Sequence, residues 1–158
     1  MALLKELDVD DDTIVLYLSD NGPNGHRYND GMLGIKGSLH EGGVRVPLFV
    51  RWPGMIEPGT VVKPNVAHID LLPTLSRLAG IPLTSDMTKP LDGVDISPLL
   101  LGASDFSLPK RNHYTWRLIY GWAVRSDRYR ATATTLHDMF EDPGQENNLI
   151  EQKPEIHD

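Results

Sequence analysis

Three side chains early in the chain could do chemistry together. Asp20 and Asn21 supply a carboxylate and an amide oxygen side by side, and Lys36 supplies an ammonium further along the same segment. Oxygen ligands of this kind suit a hard divalent cation, Ca²⁺ or Mg²⁺, rather than zinc or copper. A compact ammonium between Gly34 and Gly37 suits the oxygens of a sulfate or phosphate. The spacing therefore points to a cation held beside an oxyanion. Asp-Asn-Gly is also a common turn sequence, so the motif alone leaves both readings open. His26 and His40 share the segment and could donate protons or bind a ligand. Glu41 and Arg45 read as an ion-paired or hydrogen-bonded scaffold for the loop rather than as catalytic groups.

Such groups need elements to position them. Residues 13–19 are continuously apolar, as in a strand buried on both faces of a parallel sheet. Asp20 and Asn21 then fall just past the carboxyl end of a strand, where open α/β sheets place ligands. Residues 20–43 hold glycines at 22, 25, 31, 34, 37, 42 and 43, and read as a long functional loop. A second strand is expected over Val44–Trp52, and a short extended segment over Val61–Ala67. A helix is expected from Asp70 to Gly80, with Asp70 as cap, Pro73 in the first turn and Gly80 as the stop. Residues 2–8 have helical spacing and read as the last turns of a helix whose start is missing. Residues 81–112 are rich in proline and loops. Residues 113–140 alternate weakly, as antiparallel strands with one wet face do, with hairpin turns expected at Tyr120-Gly121 or Ser126-Asp127.

The bulk numbers limit the classes. The chain has 158 residues, 40% hydrophobic and 23% charged, which fits a globular domain with a real core. Its formal net charge of −7 argues against nucleic acid or an anionic membrane as main partner. No apolar run approaches the roughly 20 residues of a membrane helix. The absence of cysteine excludes disulfides, thiolate metal sites and a cysteine nucleophile within this chain.

Taken in order, the motifs resemble one family. Ser19-Asp-Asn-Gly22, Lys36 through Pro47, Trp52-Pro-Gly54, His68 through Thr74, Asp92-Gly93 and the closing Leu136–Leu149 are similar to the type I (formylglycine-dependent) sulfatases. The resemblance runs over roughly residues 3–156 and covers the C-terminal portion of that family. It implies an α/β fold: a partial alkaline-phosphatase-like sheet with helices, followed by a small C-terminal antiparallel β layer. The expected division is 1–103 for the α/β part and 104–158 for the antiparallel subdomain and tail.

The resemblance also implies roles. Asp20 and Asn21 match a pair of divalent-metal ligands, usually for Ca²⁺, with Mg²⁺ as the alternative. Lys36 matches the lysine that contacts the substrate sulfate. His40 and His113 are weaker substrate-binding candidates, and Glu41 and Arg45 match structural motif positions. Leu33 departs from the pattern, since many relatives carry arginine near there. The family nucleophile is a formylglycine made from Cys or Ser in a C/S-x-P-x-R motif, upstream of the Asp-Asn pair. Only 19 residues precede Asp20 in this chain. Ser107-Leu-Pro-Lys-Arg111 fits the bare pattern but lies on the wrong side of the metal motif and lacks its following context. The expectation is thus a sulfatase segment whose parent cleaves sulfate esters of a small substrate and which is inactive alone. Relatives are commonly periplasmic, secreted or lysosomal. Two alternatives accompany it: a phosphoryl-transfer hydrolase of the same superfamily, and a non-catalytic module that self-associates through an exposed sheet edge.

Overall fold

The computed structural model describes residues 1–83, 89–119 and 121–157. Two short strands, β1 (Val15–Leu18) and β2 (Leu48–Arg51), form a two-stranded sheet. Four more, β3 (His113–Arg117), β4 (Gly121–Arg125), β5 (Tyr129–Thr132) and β6 (Leu136–Asp138), form an antiparallel meander in sequence order. Five short helices accompany them: α1 (Ala2–Glu6), α2 (Glu41–Val44), α3 (Leu71–Leu78), α4 (Ser97–Leu100) and α5 (Pro154–His157). Contacts divide the chain into two compact units. One comprises residues 1–16 and 49–109, the other residues 17–48 and 110–158.

In the first unit, the Asp70 segment is a lock. Asp70 was expected to cap α3, but its side chain faces the other way. A 3₁₀ turn, His68–Asp70, precedes the helix. The Asp70 carboxylate accepts from the backbone N–H of Ala67 at 2.8 Å and of Val94 at 3.0 Å. The α3 N-terminus thus gains no side-chain cap, because satisfying two loop amides around a fully buried carboxylate is worth more. Thr74 continues the lock: its hydroxyl donates to Asp70 O at 2.6 Å and accepts from Ile96 N at 3.0 Å. Gly93 has no room for a side chain, since a Cβ would lie 1.9 Å from Ile69 O. Gly80 ends the helix with φ +68°, as expected of a glycine stop. Arg51, on β2, holds Asp10 with two hydrogen bonds of 2.8 and 2.6 Å.

One strand expectation needs correction. The second strand begins at Leu48, not Val44, because residues 41–44 close a helical turn and Arg45 N donates to Glu41 O at 2.8 Å. The stretch Val61–Ala67 is irregular, with Ala67 in an extended conformation (φ −138°, ψ 167°).

In the second unit, alternation is clear only along the first residues of β3, and β6 is buried throughout. Ala123 and Arg130 are buried, while Tyr114 and Trp116 are exposed. Ser126 makes the β4–β5 turn: its N–H donates to Tyr129 O and its hydroxyl accepts from Tyr129 N, both at 2.9 Å. Tyr120, in the other expected turn, lies outside the described residues. The tail after β6 is held by its polar residues. Asp142 accepts from Glu146 N and Asn147 N, and Asn148 Oδ1 accepts from Leu136 N and Ile150 N.

Candidate functional site

The candidate segment lies in the second unit, and glycines fix its shape. Just past β1, the Ser19 hydroxyl donates to Asn21 O at 3.0 Å, forming a tight turn. Gly22 is buried, and its N–H donates to Gly43 O at 3.0 Å. A Cβ at Gly22 would lie 1.9 Å from Gly42 O, so only glycine allows this approach. Pro23 O accepts from Lys36 N at 2.9 Å, and Leu33 O accepts from Gly42 N at 2.8 Å. The residues after Asn21 are therefore stitched by backbone to both Lys36 and the α2 turn. Asp20 and Lys36 are exposed and Asn21 is half-buried. None of these three side chains makes a hydrogen bond or ion pair with another described residue. The scaffold holds the backbone on either side of them.

Beneath the loop sits a buried charge cluster. Glu41 is 5% exposed and Arg130 is 2% exposed. Glu41 Oε2 lies 3.2 Å from Arg130 Nη1 and 3.6 Å from Arg125 Nε. Arg45, the partner expected from sequence, sits at 3.9 Å on the rim with a 62% exposed side chain. Arg45 is thus the loosest of three partners, and an exposed pair of this kind adds at most about 1 kcal/mol. The principal partners come from β4 and β5. Burial works against the charges of Arg125 and Arg130, and Glu41 works in their favour. Arg130 also donates through Nε to Leu39 O at 2.9 Å, and through Nη2 to the same oxygen. Gln145, in the tail, accepts from Glu41 N at 2.8 Å. Gln145 is buried and held at φ +59°.

The two histidines sit differently. His40 is half-buried, its Nδ1 3.5 Å from Gln145 Nε2. Burial, with Arg130 and His137 nearby, pushes its imidazole below the usual value, so it is neutral near pH 7. His113 starts β3 and pairs in register with Arg125. Arg117, at the other end of β3, approaches the Lys36 loop. A Cβ at Gly37 would lie 3.1 Å from Arg117 Nη1.

The donors present are right in kind for a hard cation but few. Ca²⁺ takes 6–8 oxygens. Among the described residues no cluster of three or more His, Cys, Asp or Glu forms. Asp20 and Asn21 can contribute two ligands to a shell completed by other groups.

Comparison with known proteins bears on what such a loop belongs to. The family model described as Sulfatase matches residues 1–81, about half of the chain. Arylsulfatase A of Homo sapiens is 34% identical over 188 aligned residues, covering 95% of this chain and 36% of that protein. Steryl-sulfatase of Rattus norvegicus is 42% identical over 112 aligned residues, covering 65% of this chain and 19% of that protein. Among solved structures, the PsFucS1 sulfatase from Pseudoalteromonas sp. has a TM-score of 0.75 at 29% identity, covering 93% of this chain and 34% of that one. The chain spans little more than a third of the length of arylsulfatase A. A phosphonate monoester hydrolase of Agrobacterium radiobacter, at 21% identity and a TM-score of 0.63, shares the fold alone. The architecture is accordingly part of an alkaline-phosphatase-like α/β domain with a small antiparallel layer. With the family model on the first half and relatives along nearly the whole length, the chain belongs to the sulfatase family.

Proposed function

We propose that this chain supplies part of the active centre of a sulfate-ester hydrolase. The observation that carries the reading is the stitched Gly22–Lys36–Gly43 knot, which leaves Asp20, Asn21 and Lys36 unengaged. Asp20 and Asn21 would give oxygen ligands to a divalent cation, Ca²⁺ first and Mg²⁺ second. Such a cation, when bound, polarises the sulfate and stabilises charge that develops during transfer. Lys36 would hold a sulfate oxygen by a charge-assisted hydrogen bond. The curated relatives named above are sulfatases, which favours sulfate over phosphate.

The reaction needs a nucleophile as well. The 158 residues contain no cysteine, and Ser107-Leu-Pro-Lys-Arg111 lies in irregular chain before β3, away from the knot in sequence. We therefore expect the 158-residue chain by itself to be inactive and to bind Ca²⁺ weakly at best. The test is incubation of the pure chain with an aryl sulfate. Turnover that disappears in Lys36→Ala would refute the expected inactivity. In a polypeptide carrying this segment together with a C/S-x-P-x-R motif, Asp20→Ala and Lys36→Ala should each remove most turnover. Full activity in either variant would overturn the assignment.

A further inference from the structure

The candidate loop carries two Asn-Gly pairs, Asn21-Gly22 and Asn24-Gly25. Such a pair can modify itself, because the backbone nitrogen of the glycine can attack the asparagine side-chain carbonyl. Glycine hinders this attack least of all residues, since it has no Cβ. In a folded chain two local features decide whether the reaction runs. The glycine N–H must be free of a hydrogen bond, and the backbone must have room to bring nitrogen and carbonyl together.

The two pairs differ in both respects. Gly22 is buried, its N–H donates to Gly43 O at 3.0 Å, and a Cβ there would lie 1.9 Å from Gly42 O. Asn21 is half-buried, and its backbone carbonyl accepts from the Ser19 hydroxyl. Gly25 sits in open space at φ +105°, where a Cβ would meet nothing within 4 Å. Neither its N–H nor the exposed Asn24 side chain makes a hydrogen bond with another described residue.

We propose that Asn24 is a self-modification site that ages to aspartate and isoaspartate, while the fold spares Asn21. Base removes the proton of the Gly25 N–H, the nitrogen bonds to Asn24 Cγ, and the Cγ–Nδ2 bond breaks to release ammonia. Water then opens the resulting succinimide at either carbonyl. The net exchange is NH2 for OH, a gain of about 1 Da and one negative charge. Opening at the main-chain carbonyl gives isoaspartate and routes the backbone through Cβ and Cγ, which lengthens it by one carbon. That longer link directly follows Pro23, whose carbonyl accepts from Lys36 N. The modification thus alters the stretch that anchors the Lys36 backbone, whether or not Asn21 holds a cation.

The pure chain is incubated in mildly alkaline buffer, folded and in guanidinium chloride, and fragment ions in mass spectrometry follow the two asparagines separately. The unfolded rate of each asparagine is its own reference. In the folded chain Asn24 should stay within about threefold of that reference, whereas Asn21 should slow about tenfold or more, because Gly22 must first leave a hydrogen bond and a closed packing. Asn24→Gln should remove the mass gain at that position and leave Asn21 slow. Folding that slows Asn24 as much as Asn21, or an Asn21 that reacts as fast as Asn24 in the folded chain, overturns the proposal.

Discussion

Replacing Glu41 by glutamine changes one charge and little shape, and its effect can be worked from the cluster. Glu41 is a carboxylate paired with two guanidiniums whose side chains are 2% and 14% exposed. Removing its charge leaves Arg130 and Arg125 near each other, with Asp127 the remaining anion that favours the Arg125 charge. Breaking a buried pair by deleting one partner costs about 3–5 kcal/mol. Arg45 adds little to this loss because it is exposed. The Gln145 contact is to Glu41 N and survives the change. Glu41→Gln should therefore lose about 3–5 kcal/mol, a large share of the roughly 5–15 kcal/mol of an ordinary domain. Arg130→Met in the same background removes one of the two stranded cations. The double variant should then be less destabilised than the sum of the singles by about 1–3 kcal/mol. Urea unfolding followed by tryptophan fluorescence and circular dichroism measures all four forms. A loss under about 1 kcal/mol in Glu41→Gln, or additivity within about 0.5 kcal/mol, would show that the cluster is not coupled as its distances imply.

Gly22→Ala places a methyl group 1.9 Å from Gly42 O, a backbone atom that cannot swing aside. Its cost should reach or exceed the top of the ~1–3 kcal/mol range for overpacking, read from urea midpoints, and a near-neutral result would mean the knot is looser than described. His40 gives a pH signature. Its folded imidazole binds protons less readily than the unfolded one, whose value is about 6.5. Stability should be unaffected by this group well above that pH and should fall as pH drops below it. His40→Gln should flatten the decline below about pH 6.5. Stability that rises on acidification through this window contradicts the argument. Asp138 and Asp142 have folded values held below 3.8: Arg128 lowers the first, and in the second burial pushes upward but is outweighed by the backbone amides of Asn147 and Glu146 together with His137. Their contribution is present above that value and is lost only at lower pH, so the two effects separate.

Much of this site could be read along the chain, and its support could not. The apolar run into Asp20-Asn21-Gly22 marks a strand end by composition alone, and β1 forms there. The four-stranded layer follows from weak alternation and a Ser-Asp turn. What holds the loop comes from far away. Arg130 is 89 residues from Glu41, and Gln145 is 104. No local spacing rule connects them, and a single arginine in a polar-looking strand reads as solvent-facing. Arg45, four residues from Glu41, was the natural local partner and turned out peripheral. The α2 turn was missed for a related reason. Glu-Gly-Gly-Val is poor helix sequence, and it folds as a turn where Gly42 and Gly43 pack on the carbonyls of Gly34 and Ile35. Asp70 misled in the opposite direction. A local cap was the simplest use of its carboxylate, yet Val94, 24 residues on, claims one oxygen.

The bond between Gln145 and Glu41 also sets an order of events during synthesis. Glu41 cannot receive that contact until 104 further residues have been made. At roughly 5–20 residues per second this takes about 5–20 s, far longer than local turns need. Through that interval the segment bearing Asp20 and Lys36 lacks this clasp. Premature stops shortly before residue 145 would therefore release a protein with the candidate ligands all encoded and the loop beneath them unfastened.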